Sequence, residues 1–399
     1  MPFFDPARAA YIDDPYPRLH HLRREAPVFR SPELGAWVVT SHAACAEVLR
    51  DHTRFSSDPA AAKGIDPLLL ARRRASVPFG EVPSLSSIDP PEHARLRRVL
   101  AEPFSPAAAA RVRHVVRGVV HEVLSGVPPT GAFEVMATVA DPIPERVMLA
   151  LAGIPADRQA EVGRWLRAIA RVRERVSFDP EEIAAARVAA PLVAGFVDEV
   201  RARQTEATPN VLRELLEAEG EGSITPGELL ALLVHVTVVG TGPLAGLIAN
   251  ALVALARFPE ERRRLRRGEV PWEGAVHELL RYDSPTHAVP RVVRRDTELR
   301  GARLRAGEVV YAMVGAANRD PDVFADPDRL NLGRDARAHL SFGAGPHFCL
   351  GAPLARIVAE EALQPLLERL GEYRVLRLRW MHPFELRAPR ELVIEPGSA

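Results

Sequence analysis

The run Phe342-Gly343-Ala344-Gly345-Pro346-His347-Phe348-Cys349-Leu350-Gly351 constrains this chain more than any other segment. Its glycines and proline keep it out of regular helix or strand, and it leads into Ala352-Pro353-Leu354-Ala355-Arg356, which reads as the opening of a helix. A cysteine placed there faces unpaired backbone N–H groups and the positive end of the helix dipole. Both favour the thiolate, the form of cysteine that binds metal. The chain has one other cysteine, Cys45, in Ala43-Ala44-Cys45-Ala46-Glu47-Val48-Leu49. That setting predicts a buried small hydrophobe.

Two cysteines cannot make a disulfide framework, which fits a reducing compartment. Acidic and basic residues balance at 52 each, so no polyanion or membrane surface is implied as a partner. The start, Met1-Pro2-Phe3-Phe4-Asp5-Pro6, lacks a basic stretch followed by an apolar run. The longest apolar stretch, Leu229–Val239, is too short to span a bilayer. The expectation is a cytoplasmic protein that binds neither nucleic acid nor membrane.

Apolar residues at three-to-four spacing predict helices around 40–50, 92–101, 106–125, 145–172, 181–205, 226–257 and 272–282. Strand-like alternation is confined to Ala36–Thr40, Val289–Val293, Val309–Val314 and the last thirty residues. With no repeat and no long linker, residues 1–399 read as one large, mainly α domain with small marginal β-sheets.

Further motifs stand in order with the cysteine run. Glu278-Leu279-Leu280-Arg281 lies seventy-one residues before it. Between them come Ala317-Asn318-Arg319-Asp320-Pro321 and Phe324-Ala325-Asp326-Pro327-Asp328-Arg329. Nearer the start is Asp89-Pro90-Pro91-Glu92-His93-Ala94-Arg95-Leu96-Arg97-Arg98. Together these resemble the cytochromes P-450 of the soluble bacterial type, from about Asp5 to the end. The resemblance implies that fold, haem b (iron protoporphyrin IX) as cofactor and Cys349 as the iron ligand. It implies that Glu278, Arg281 and Arg329 form a buried ion network bracing the cysteine loop, a structural rather than catalytic role. It places His93, Arg97, Arg291 and His347 at the haem propionates. Phe342, Gly345 and Gly351 belong to the haem-binding loop, where glycine lets backbone press against a flat macrocycle. A small-molecule substrate, a monomeric state, and a ferredoxin with its reductase are the partners it implies; Arg98 and Arg356 are candidates for the docking face.

One stretch departs from the family pattern. Relatives usually carry an acid–threonine pair in the central helix to deliver protons. Aligning Leu247-Ile248-Ala249-Asn250 with the family puts Gly242 and Pro243 at those two positions. Thr241 points to roughly the opposite face from Pro243 and cannot simply replace the threonine. Pro243 lacks the N–H for the Val239 carbonyl and disfavours helical dihedrals at Gly242, so a break is expected at 239–243. Three chemistries are compatible with this: dioxygen use with a proton path through substrate or water, direct use of peroxide, and redox-neutral dehydration, coupling or isomerisation. A non-catalytic auxiliary of a glycosyltransferase, which some proteins of this fold are, is opposed by the intact Cys349 loop. So is a gas sensor, which would need an output domain.

By the same register the substrate pocket is lined by Val77, Pro78, Phe79, Val82 and Leu85, by Val239 of the central helix, by the segment before Arg291 and by the turn at Phe384. His235 and His287 are its polar candidates, against the commoner role of a satisfied structural histidine. Arg72-Arg73-Arg74 could meet an anion but reads more simply as a solvated turn. The apolar lining suits a mostly hydrophobic molecule, such as a natural-product intermediate.

Overall fold

A computed structural model describes residues 3–63, 78–79, 82, 84–128, 130–173, 179–203, 210–381 and 384–397. Arg72–Arg74 and Val77 lie outside the described residues. Helix dominates, as expected, and the chain gathers into two compact units. The first comprises Met1–Lys63, Val116–Ile143 and Pro243–Ala399, and the second Gly64–Val115 and Pro144–Gly242.

The first unit holds all the strands: β1 Val28–Ser31, β2 Ala36–Val39, β3 Phe55–Ser56, β4 Phe133–Glu134, β5 Val289–Val293, β6 Thr297–Leu299, β7 Ala302–Leu304, β8 Val309–Ala312, β9 Tyr373–Trp380 and β10 Pro389–Pro396. Five make one sheet in the order β1-β2-β8-β5-β3, with β2 and β8 parallel and the other pairs antiparallel. Successive side chains alternate across it. Val39 joins a core with Cys45, Val48, Leu49, Val293, Leu340 and Ala344, while its neighbour Val38 joins Phe4, Tyr11, Leu19, Leu22 and Met313. The first of these cores is the one that positions the cysteine run. It packs helix α1, His42–Arg50, against the sheet and takes in two residues from the loop leading to Cys349. Two more helices of this unit matter below: α5, Trp272–Tyr282, and α6, Ala352–Leu370.

Among its described residues the second unit has helices joined by turns and loops, and no strand. Helix α2 is Glu92–Val99 and helix α3 is Pro226–Val238. Thr225 and Glu228 cap the start of α3 reciprocally, side chain to backbone in both directions. Arg95 of α2 pairs with both Glu92 and Glu228 and donates to the Ser223 carbonyl at 2.7 Å, which ties α2 to that cap. The single helix expected over 145–172 is two, Pro142–Leu151 and Gln159–Arg173. Gly153 ends the first with φ +81°, and a Cβ there would lie 2.4 Å from the Asn210 side chain.

The central helix continues from α3 into α4, Thr241–Arg257, after two non-helical residues, Val239 and Gly240. Counted as one run, Pro226–Arg257 has 32 residues and is long and apolar enough to cross a membrane by length and composition. The sequence confines the longest apolar stretch to Leu229–Val239, interrupted by His235. In the fold 61% of its most apolar window is buried in protein.

Candidate active site

The cysteine loop is folded back on itself by its own backbone. Cys349 N–H donates to the Phe342 carbonyl at 2.7 Å, Phe348 N–H to Gly345 at 3.0 Å and Gly343 N–H to Leu340 at 2.8 Å. Helix α6 begins at Ala352 with Gly351 as its cap, so Cys349 stands two residues before a helix N-terminus, as the sequence predicts. Its side chain is partly exposed, whereas Cys45 is fully buried and its thiol donates to the Val39 carbonyl at 3.2 Å. Burial pushes the Cys45 thiol pKa up and leaves it inert. Gly345 has φ +72°, and a Cβ on it would lie 2.7 Å from Cα of Arg50 and 2.9 Å from the Leu49 carbonyl. Close packing against the end of α1 is one thing this glycine permits.

An ion network holds the loop from behind. Glu278 and Arg281 of α5 are fully buried and form a bidentate pair at 2.7 and 2.9 Å. Arg281 also donates to the carbonyls of Asn318 (3.0 Å) and Pro327 (2.8 Å). The third charged member is not Arg329. That side chain is exposed, and only its carbonyl accepts from Arg281, at 3.4 Å. Arg334 takes the place, with Nε 3.3 Å from Glu278, and the Asn331 N–H adds a bond to the same carboxylate at 2.9 Å. A turn over Asn331–Arg334, closed by Arg334 N–H on the Asn331 carbonyl at 2.9 Å, brings the later arginine inward. Asn318 then links frame to loop. Its side chain donates to Ser341 Oγ at 2.8 Å and accepts from Leu340 N–H at 2.7 Å, while Ser341 Oγ donates to the Leu280 carbonyl of α5 at 2.8 Å. Sequence reasoning quoted Asn318 in a motif but gave it no role. An asparagine directly after the apolar run Met313–Ala317 was the available signal, since a buried amide must find partners.

Arg291 is buried on β5 and donates to its neighbour's carbonyl, Pro290, at 2.8 Å. His347 ends the short turn Gly345–His347 just before Cys349, and the Phe342 ring lies 5.4 Å from His339 and 6.3 Å from Phe348. In the second unit, His93 is buried on α2 and Arg97 follows one turn later, so both share a helix face as expected.

The central helix breaks within the 239–243 stretch where the sequence places the break, at its first two residues. Val239 and Gly240 leave the helix, while Gly242 and Pro243 already belong to the first turn of α4. The first amides of a helix have no intrahelical acceptor, so proline as the third residue forfeits no bond. The carbonyl of Val239 finds no amide donor four residues on, because Pro243 has none. Thr241 Oγ is turned back onto the Val238 carbonyl at 2.7 Å. Its hydroxyl proton is therefore engaged by backbone.

A family model for cytochrome P450, written here P-450, matches residues 272–371, the segment from α5 through the cysteine loop to the end of α6. The mycinamicin IV hydroxylase/epoxidase of Micromonospora griseorubida is 35% identical over 388 residues, covering 94% of each chain. The chain belongs to the cytochrome P-450 family. Among solved structures, CalO2 matches with TM-score 0.88 at 32% identity over 100% of both chains. An epothilone D-bound cytochrome P-450 matches with TM-score 0.90 at 28% identity over 99% of both. As a member of the family this P-450 is an oxidoreductase that binds haem b through a cysteine thiolate. Its own residues suit that group, since one cysteine is buried and satisfied while the other is presented beside a helix N-terminus.

The five pocket candidates of this P-450 belong to both units, two to the first and three to the second. His287 and Phe384 line one cavity of the first unit, with Tyr11, Ile12, Trp380 and Arg387. His287 is 1% exposed, its ring stands edge-on to Tyr11 and Tyr16, and neither ring nitrogen has a hydrogen-bond partner. Burial and then the Arg387 charge hold its pKa down to about 3, so the ring is neutral. A Cβ on Gly315 would fall 2.1 Å from the imidazole, so that glycine makes room for it. In the second unit, Nδ1 of His235 lies 3.1 Å from Ser84 Oγ, on the loop before α2. Val239 is half-buried at the break, and Phe79, also half-buried, has φ +56°.

Proposed function

We propose that this P-450 is a monooxygenase-type tailoring enzyme for a mostly apolar natural-product intermediate, using dioxygen without an acid–threonine pair in its central helix. The observation that carries the reading is Gly242-Pro243 in the first turn of α4, with the neighbouring Thr241 hydroxyl held by Val238. Thiolate-bound haem iron supplies the oxygen-activating chemistry when the group is bound. Cys349 is its ligand, and His93, Arg97, Arg291 and His347 hold its propionates. Gly242 and Pro243 offer no side-chain proton, and Thr241 is occupied. The proton therefore comes through a substrate hydroxyl or a water, for which the Val239 carbonyl, lacking an amide partner from Pro243, is an acceptor.

The substrate class rests on relatives named for mycinamicin IV and bound to epothilone D. The neutral His287 offers a hydrogen bond to a polar handle on such a molecule. Electrons come from a reductase by way of an acidic ferredoxin. The two units alternate along the sequence, so neither can be excised as one segment, which supports a single domain over 1–399.

Direct peroxide use is the second reading, and the same missing proton donors favour it. Pro243→Thr tests the proposal in the reconstituted system. Restoring a hydroxyl should change the product formed per reducing equivalent. Unaltered coupling would remove the argument, and full turnover with peroxide alone would favour the second reading.

A further inference from the structure

Three buried polar atoms without partners belong to residues around one cavity of the first unit. The Tyr11 hydroxyl and both ring nitrogens of His287 are closed to solvent and make no hydrogen bond. Leaving such groups unpaired is costly, so they point to a partner from outside the chain. The cavity walls are tied by backbone. His287 N–H and Ala288 N–H both donate to the Glu385 carbonyl, at 2.8 and 3.2 Å, and Arg387 N–H donates to the Pro285 carbonyl at 2.8 Å. The Arg387 side chain then reaches the start of the chain. It donates to the carbonyls of Ile12 (2.9 Å) and Asp13 (3.2 Å), at the end of the helix Ala9–Asp13. Tyr11 of that helix stands edge-on to His287, with ring centroids 6.4 Å apart.

The chemistry of these walls selects the guest. Every nitrogen of Arg387 is already engaged: Nε donates to Asp283 at 2.8 Å, the two Nη atoms serve the carbonyls of Ile12 and Asp13, and the guanidinium stacks on Trp380 at 3.8 Å. A carboxylate would lose its water there without a free cation to meet it, and an ammonium would face the Arg387 charge. Gly315 packs the Cε1–Nδ1 edge of His287, where a Cβ would fall 2.1 and 2.2 Å from those atoms against 3.0 Å from Nε2. Nε2 is therefore the freer nitrogen. A buried N–H without an acceptor is rarer than an acceptor without a donor, so the ring proton belongs on Nε2. Burial pushes the Tyr11 pKa up and keeps it a hydroxyl. The cavity, about 20 Å³, admits a single functional group and not a whole molecule. Ile12, Phe384 and Leu386, all partly exposed, give it an apolar rim.

We propose that Tyr11 and His287 together hold an uncharged oxygen, carbonyl or hydroxyl, at the tip of an apolar molecule, an inference that rests on the apolar-substrate reading and names its polar handle. A carbonyl oxygen accepts from the Tyr11 hydroxyl and from His287 Nε2–H with its two lone pairs. A hydroxyl oxygen accepts from His287, and Tyr11 either donates to it or accepts from it. The body of the molecule rests on the apolar rim, a contact that water would not use. Tyr11 thereby becomes a specificity residue contributed by the start of the chain, and the site discriminates by charge as well as by shape.

The test uses the holoenzyme with cyclopentanone as the probe, read by its carbonyl infrared band and by the ring-nitrogen shifts of His287. Binding should lower the carbonyl stretching frequency and move the Nε2 resonance. Tyr11→Phe should weaken binding about fivefold and reverse part of the band shift. It should leave Tm unchanged or higher, because the hydroxyl has no partner in the free protein. His287→Phe should weaken binding comparably. Cyclopentanecarboxylate and cyclopentylammonium should bind at least about tenfold more weakly than the ketone. Wild-type affinity in Tyr11→Phe, a lowered Tm in that variant, or a carboxylate bound as tightly as the ketone would overturn the site. So would probe binding that shifts the haem spin state and leaves the His287 nitrogens unmoved. Probe binding needs no turnover, so an enzyme that holds the ketone at His287 yet oxidises no apolar compound would remove the substrate reading and leave the site standing. Turnover of such compounds with no probe signal at His287 would do the reverse.

Discussion

The frame behind the cysteine loop and the break in the central helix meet the same problem, buried polar groups, in opposite ways. Around Glu278 and Arg281 the carboxylate and guanidinium are engaged by each other, by Arg334, by three carbonyls and by an amide. At Val239-Gly240 the helix is interrupted, and the Thr241 hydroxyl beside the break is spent on a carbonyl. A network that satisfies every member fixes one geometry, as a metal ligand requires. A helix that leaves a carbonyl unclaimed leaves room for a molecule from outside. The first region is organised by the chain alone, while the second is completed by whatever it binds.

Glu278→Ala puts the frame under the greatest load. Arg281 would be left buried and uncompensated, costing about 3–5 kcal/mol. Denaturant melts of the holoprotein should show that loss, and a loss under about 1 kcal/mol would mean that the frame is not what braces the loop.

Removing His287 should have the next largest effect. Its pKa is about 3 in the fold against an ordinary value near 6.5, so the unfolded chain takes up a proton that the folded chain refuses. Stability from this ring is therefore present above about pH 6.5 and falls as pH drops toward 3. His287→Phe should flatten the acid side by up to about 1.4 kcal/mol per pH unit over that window. An unchanged slope would show that the ring titrates normally.

Pro243→Ala separates a proline that breaks the helix from one that starts it. In a first turn the change should move stability by less than about 1 kcal/mol. A gain near 3 kcal/mol would place the proline inside a continuous ladder and erase the contrast between the two regions. Arg329→Ala should be smallest, within about 0.5 kcal/mol, because the side chain is exposed. A loss as large as that from Arg334→Ala would restore it to the ion network.

Much of this was legible in the sequence because local chemistry decided it. Cys349 before a helix, Glu278 and Arg281 one turn apart, His93 and Arg97 on one face, and β5 at Val289–Val293 follow from spacing alone. What was not legible depended on tertiary context. Arg329 and Arg334 lie five residues apart in one irregular segment, and only the turn between them decides which reaches Glu278. The split of 145–172 needed Asn210, far along the chain, to be seated against Gly153. Pro243 marked the break at 239–243 but not its extent, since the helix restarts at Thr241, two residues before the proline. His287 fitted a pocket position by register, yet its near neighbours proved to be Tyr11 and Tyr16 from the chain's start.

The central claim is that Cys349, and not Cys45, holds the haem iron. The carbon monoxide difference spectrum of the reduced holoenzyme tests it most directly. Wild type and Cys45→Ser should both show the thiolate-type Soret band, and Cys349→Ser should lose it. A band that survives in Cys349→Ser, or that is absent from the wild type, would contradict the account.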